Sequence, residues 1–466
     1  MVFNSFEFFV FLIFLLPIFY AVCSHSVRRD LLLLIASYIF YMMWYWQYAS
    51  LILLSTVVDF FIGRAMVASN ITQARKKILL LSSLGVNLGL LAYFKYYNFF
   101  AESSKAGLAL IGVEIPNVYH DLLLPVGISF YTFQTLSYTI DIYRGNIQRE
   151  KYFLKFAVFV SFFPQLVAGP IVRARDFLPQ LHAKTRLSQE NIQRGLWLIF
   201  LGLFKKIVVA DLLAYLIVDE IFENPASFSS VDLLISLYAY AFQIYCDFSG
   251  YTDIAIGIAL LMGFQLPINF NRPYISQTPS EFWRRWHISL SSWLRDYLYI
   301  SLGGNRGSKI FTARNLLITM LLGGLWHGAA WNFVIWGAFH GLLLIAFRNV
   351  SEEKEFGLKM VVKISFMFHL ILFSWLLFRV PDMEIFSAYL NGLIEFTAGT
   401  QLSLLGFVIL FVIAICHFTP RNILHSSIYD FFHKQNELVR ASVYAGLLML
   451  FIGLSVDAQA FIYFQF

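Results

Sequence analysis

The sequence predicts an all-α polytopic integral membrane protein, with about 11–12 transmembrane helices plus re-entrant or interfacial ones. Three observations predict it. Hydrophobic residues make up 59% of the 466 and charged residues only 13%, against about 45–50% and about 25% in soluble domains. Apolar runs of spanning length recur from one end of the chain to the other. Basic residues collect in alternate connections, as they do in proteins whose cytoplasmic loops are enriched in Lys and Arg.

Taken in order, the runs fall near 6–22, 31–47, 48–66, 78–95, 122–142, 195–218, 231–247, 315–331, 332–347, 360–378, 402–418 and 439–456. Each is long enough, or nearly so, to cross about 30 Å of hydrocarbon. The runs 152–170 and 250–268 contain Pro, Gly or polar breaks and read as re-entrant. Clusters at Arg28/Arg29, Arg75/Lys76/Lys77, Arg144/Arg149/Lys151 and Arg421–Arg440 mark the cytoplasmic side. Glu114–Asp121, Asp219–Asp232 and Pro381–Thr400 carry acids without Lys or Arg and read as outside. Met1 to Glu7 lacks a positive region and no cleavage site follows Phe8–Val22, so the first run reads as a retained span with its N-terminus outside. The segment Asn269–Asn315 is basic and rich in Trp and Tyr, and is expected to lie at the interface or to dip into the protein. With no tandem repeat and no low-complexity linker, residues 1–466 form one membrane domain.

The same composition removes several function classes. The net charge of +6 reflects cytoplasmic loops rather than a nucleic-acid partner. Cys23, Cys246 and Cys416 are far apart and have no metal spacing. Phosphate-loop, dinucleotide, serine-elbow and zinc-helix patterns are missing, so neither a metal nor a bound cofactor is expected.

Four constellations are candidates for chemistry. The first is Gly323-Gly324-Leu325-Trp326-His327-Gly328. Counting from Asn315 puts His327 about 18 Å along a helix, near the bilayer midplane, where an ionisable residue is either functional or hydrogen-bonded across a helix interface. The second is His287 beside Arg284, Arg285 and Arg295. These arginines either grip the phosphates of a nucleotide-like donor or anchor the segment to anionic lipid. The third is Asp247 and Asp253, a pair of carboxylates between apolar runs that orient a histidine, pair a cation or line an aqueous entry. The fourth is the apolar tail 457–466, in which Tyr463 either docks against the bundle or presents a hydroxyl to a cavity. His340, His369 and His417 sit in apolar surroundings without companion ligands.

Trp326-His327-Gly328, taken with His287, resembles the membrane-bound O-acyltransferase (MBOAT) family. The blocks Leu123–Tyr131, Leu166–Pro170, Asp247–Tyr251 and Glu281–Leu290 resemble, within it, the membrane subunits that O-acetylate alginate and peptidoglycan. The likeness covers most of the chain and is densest over 122–341. It implies a bacterial inner-membrane, multi-pass O-acetyltransferase that takes acetyl from a cytosolic donor, acetyl-CoA. The group is then delivered outside, where a periplasmic SGNH-esterase-like partner places it on a polysaccharide hydroxyl. It also implies that His327 is the catalytic histidine, that His287 and Trp326 support it, and that Tyr463 carries the acyl group. Burial keeps His327 neutral and able to act as a general base on a hydroxyl. A transporter or flippase with a polar site at mid-depth is the alternative class.

Overall fold

The computed structural model describes residues 1–454 apart from 117, 118, 121, 421, 422 and 424. It is 75% helical, with no strand among the described residues. The tail 457–466, and Tyr463 with it, lies outside the described residues. Helices dominate because lipid offers backbone amides no partner, so each segment must close its hydrogen bonds internally.

Helices α1 (Phe6–Val22), α2 (Ser26–Tyr45) and α3 (Ala49–Ala65) cover the first three expected spans. α4 (Gln73–Leu91) runs through a π-helical turn, Ala92–Tyr96, into α5 (Tyr97–Ala109). α6 (Ile128–Arg144) starts later than the expected run 122–142. Its first residues are extended around Pro125, and Gly127 turns the chain at φ 76°. A Cβ on Gly127 would lie 2.6 Å from the Leu166 carbonyl oxygen, so this turn needs glycine for both space and backbone.

The run 152–170 is broken, as its Pro and Gly predict. α7 (Phe153–Ser161) and α8 (Phe163–Leu166) are short, and the chain from 156 to 174 is wholly buried. Irregular backbone at depth is thereby sheltered by protein. After α9 (Ala174–His182), α10 (Gln189–Leu203) continues through two π-helical stretches, Phe204–Asp211 and Ala214–Val218, to α11 (Asp219–Glu223).

The expected break between 231–247 and 250–268 does not exist. α12 (Ser230–Leu261) is one unbroken, almost completely buried helix of 32 residues, about 48 Å long. Two features explain why its polar middle stays helical. Asp247 and Asp253 each find a lysine on the neighbouring helix, and Gly250 is a packing notch rather than a breaker. A Cβ on Gly250 would lie 2.7 Å from the Gly202 carbonyl oxygen, and one on Gly202 2.5 Å from that of Gly250. The two backbones touch there, as small residues allow.

The segment 269–308 dips into the protein through α13 (Pro279–Arg285), α14 (Ile288–Trp293) and a π-helical turn, Leu294–Tyr299. α15 (Lys309–His327) and α16 (Trp331–Ala346) form a tight hairpin. α17 (Leu358–Arg379), α18 (Met383–Ile394), α19 (Leu404–Phe418), α20 (His425–His433) and α21 (Glu437–Leu454) complete the bundle.

Five helical stretches are long and apolar enough to cross a membrane by length and composition: Ser26–Ala65, Gln73–Ala109, Ser230–Leu261, Leu358–Arg379 and Glu437–Leu454. Phe6–Val22, Trp331–Ala346 and Leu404–Phe418 are shorter apolar helices. The remaining expected crossings, 122–142, 195–218 and 315–331, are helical over 128–142, 195–218 and 315–327, and carry polar side chains or π-helical stretches. The chain is a multi-pass membrane protein.

Candidate active site

His327 is the last residue of α15, not a mid-helix residue. The helix begins at Lys309, six residues before the expected start, so His327 lies about 27 Å along it. Gly328 then turns extended and the chain reverses into α16. The hairpin closes tightly because a Cβ on Gly324 would collide with the Phe333 carbonyl oxygen, and one on Gly337 with that of Met320.

A helix end in apolar surroundings must satisfy its last carbonyls from outside. Here the π-helical turn after α4 does so. Lys95 Nζ donates to the carbonyl oxygens of Trp326 (2.7 Å) and His327 (3.0 Å). The Tyr96 hydroxyl donates to that of Leu325 at 2.9 Å. A cation also suits this end of the helix dipole.

The structure brings His287 and His327 together. His287 is fully buried, and its ring centroid lies 6.4 Å from that of His327 and 5.9 Å from that of Trp326. It occupies the turn between α13 and α14 in a left-handed conformation, φ 43° and ψ 53°, which costs a non-glycine residue about 1–3 kcal/mol. Asn269 holds this turn from both of its polar ends. Its backbone oxygen accepts from Ile288 N, and its Oδ1 accepts from Ser289 N. Ser289 Oγ in turn accepts from Ile171 N, tying the turn to the irregular chain after α8.

Around the two imidazoles stand aromatic rings. Trp326 packs edge-on to His327 and stacks on Phe133, which stacks on Trp293 at 3.8 Å. Trp336 lies 5.1 Å from His327 and 4.6 Å from His340. His340 thus shares the Trp336 ring with His327, while His417 accepts from Tyr274 N and His369 pairs with the Tyr238 hydroxyl.

Two cavities flank this layer. One, of about 500 Å³, is lined by His327, Trp326 and Lys95, by Tyr45 at the end of α2, and by the chain from Leu123 to Phe130. The other, of about 380 Å³, lies among α10, α12, residues 268–272 and α19. Its wall is mostly apolar but includes Arg194, Lys205, Arg272 and Asp253. Phe270 lines it and packs on Phe248, which packs on His287 at 4.7 Å. Contacts thus run from the 380 Å³ cavity through Phe270 and Phe248 to His287, whose ring neighbours that of His327 on the wall of the 500 Å³ cavity.

The other expected site residues are placed differently. Asp247 pairs with Lys206 at 2.7 Å, Lys206 also pairs with Asp211 at 2.9 Å, and Asp253 pairs with Lys205 at 2.6 Å. Both acids serve as counter-ions to lysines of the π-helical stretch. The three arginines line neither of the two cavities described above. Arg284 pairs with Glu352, Arg285 with Glu281 at 2.8 Å, and Arg295 with Asp296 at 2.7 Å. Burial works against ionisation of the Asp296 carboxyl, but hydrogen bonds from Arg295 and Arg173 outweigh it and hold the group below its ordinary range.

Sequence reasoning missed Lys95, Asn269, Arg194, Lys205 and Arg272. For Lys95 and Lys205 a signal existed: each is a lone or paired lysine inside an expected span, and ionisable residues there need a reason. No group of three or more His, Cys, Asp or Glu among the described residues is arranged to hold a metal ion.

The comparisons agree with this architecture. The model of the membrane-bound O-acyltransferase family matches residues 146–378, which include both histidines. The chain is 43% identical over 392 residues to a probable alginate O-acetylase of Pseudomonas syringae, covering 83% of this chain and 74% of that protein. It is 37% identical to a peptidoglycan O-acetyltransferase of Helicobacter pylori, covering 80% and 75% of the two chains. A teichoic acid D-alanyltransferase of Streptococcus thermophilus is 30% identical, over 63% and 76%. A polytopic helical bundle with two buried histidines and this similarity is an O-acyltransferase: the chain belongs to the membrane-bound O-acyltransferase family.

Proposed function

We propose that the protein takes acetyl from acetyl-CoA on the cytosolic side of a bacterial inner membrane and passes it outward for O-acetylation of an extracytoplasmic polysaccharide, in partnership with a periplasmic SGNH-type protein. Residues 1–466 act as one transmembrane acyltransferase domain. The observation that carries this reading is the pair of imidazoles, 6.4 Å apart between two cavities. Relatives named for alginate and peptidoglycan O-acetylation support the acyl group and the acceptor class.

In this mechanism His327 is the general base. It takes the proton of an acceptor hydroxyl as that oxygen attacks the thioester carbonyl; the C–S bond breaks, and the thiolate leaves with the proton. His287 supports the base from across the layer, and Trp326 packs both rings in place. The cavity lined by Arg194 and Arg272 suits the donor's phosphates, a role expected first of Arg284, Arg285 and Arg295. Tyr463 is the first acceptor: in the second transfer the acceptor hydroxyl's oxygen attacks the acetyl carbon of its phenolic ester, the acyl C–O bond breaks, and the phenolate, a good leaving group, takes up the proton. Asp247 and Asp253 support the site as counter-ions.

Purified protein given acetyl-labelled CoA tests the reaction. Transfer or hydrolysis is expected, lost in His327→Ala at unchanged expression. A wild-type protein inert both with and without its partner would refute the reading. Mass spectrometry of Tyr463 after donor addition tests the carrier step, and normal acetylation by Tyr463→Phe would exclude it.

A further inference from the structure

Lys95 belongs to no motif that marks the histidines, yet it is the side chain that ends their helix. Three successive carbonyls, those of Leu325, Trp326 and His327, are capped by two consecutive residues of one π-helical turn. Such single π-helical turns recur at functional positions because they re-aim side chains. Lys95 approaches from a helix remote in sequence, its ammonium 6.0 Å from the Trp326 ring centre. It lines the His327 cavity on one side and, on the other, a second cavity of about 430 Å³ that reaches Asn332, Arg379 and Pro381.

We infer that Lys95 is a positioning residue: it clamps the tip of the α15–α16 hairpin through the Trp326 and His327 carbonyls and so fixes the direction in which His327 presents its ring. An ammonium has three donors. Two are spent on the carbonyls, and the head group sits at the junction of the two cavities. Without the clamp, the last turn of α15 keeps only the Tyr96 bond to Leu325, and the backbone that carries the His327 ring is freer to shift. An arginine can reach two carbonyls at once and should keep much of the clamp; a methionine of similar length cannot. Tyr96 secures only Leu325, one residue further from the ring, so its loss should matter less.

The inference rests on the assignment of His327 as the base, but its test does not depend on activity. Diethylpyrocarbonate modification of His327, followed by mass spectrometry with the exposed His182 as the internal reference, reads how firmly the ring is held. We expect His327 to react at least about 5-fold faster in Lys95→Met, close to the wild-type rate in Lys95→Arg, and in between in Tyr96→Phe. In the transfer assay, Lys95→Met should lower kcat about 50-fold at a donor KM within 2-fold, with Lys95→Arg restoring most of it. Equal modification rates in all four proteins, or a loss that falls on KM alone, would overturn the inference. If Lys95→Met does not fold, the order of Lys95→Arg and Tyr96→Phe decides. A wild-type protein without transferase activity would refute the proposed reaction yet leave the modification test intact.

Discussion

The pair α10–α12 and the hairpin α15–α16 face the same difficulty, polar groups within an apolar bundle, and solve it in opposite ways. In both, glycines let the backbones touch. Between α10 and α12 the polar groups are charges: Lys205 with Asp253, and Lys206 with Asp247 and Asp211. At the tip of α15–α16 they are imidazoles and backbone carbonyls, surrounded by indole and phenyl rings. Ion pairs are held by mutual attraction and resist change. A neutral ring can accept a proton and give it back, as a general base requires. The first pair is a girder; the second is a tool.

That contrast can be broken or sharpened by substitution. The largest effect is expected from His327→Ala, a loss of about 10²–10⁴-fold in transfer, the range that a general base supplies, at wild-type expression and thermal unfolding. The reverse pattern is expected of Lys206→Met. It strands two buried carboxylates, which costs about 3–5 kcal/mol, so unfolding in detergent should move sharply while turnover per folded molecule stays close to normal. Comparable activity loss in the two variants at equal stability would erase the distinction. Gly250→Leu comes next: forcing α10 and α12 apart should cost about 1–3 kcal/mol, readable in the same melts. Arg284→Ala removes an exposed pair with Glu352 and should change stability by less than about 1 kcal/mol, with donor KM unmoved. A large rise in KM there would return the donor site to the arginines of the 281–290 block. The smallest effect concerns pH. Because the folded protein holds the Asp296 carboxyl below its ordinary value of 3.8, its small contribution is present at neutral pH and fades only as the pH falls below that value. Melts of wild type and Asp296→Asn should therefore differ slightly at pH 7 and converge in strong acid.

Much of this was legible from the chain alone, and the failures have physical causes. Runs such as 6–22 and 360–378 are apolar throughout, and bilayer thickness sets their length, so their helices follow directly. The hydropathy of α12 was misread because Asp247, Ser249, Gly250 and Asp253 look like a break when the partner helix is out of sight. The charges that neutralise them, Lys205 and Lys206, lie more than forty residues away. The proximity of His287 and His327 could be suspected only from a family pattern, since nothing local in either segment specifies the other. Arg284 and Arg285 stand out as a cluster, but the acids that engage them, Glu352 and Glu281, lie on the connection between α16 and α17 and one helical turn back. Lys95 is a different case. It stands at the last position of an expected span, a signal in itself, but one that does not say which carbonyls it reaches.

The left-handed backbone at His287 has a practical consequence. Alanine is the wrong eraser for this position, because it deletes the imidazole and, at the same time, places an ordinary L-residue in a geometry that it resists. A defect in His287→Ala would mix lost chemistry with a distorted corner between α13 and α14. Asparagine, which tolerates that conformation better than most residues, and glycine, which adopts it freely, separate the two. If either supports turnover that alanine does not, the corner matters more than the ring.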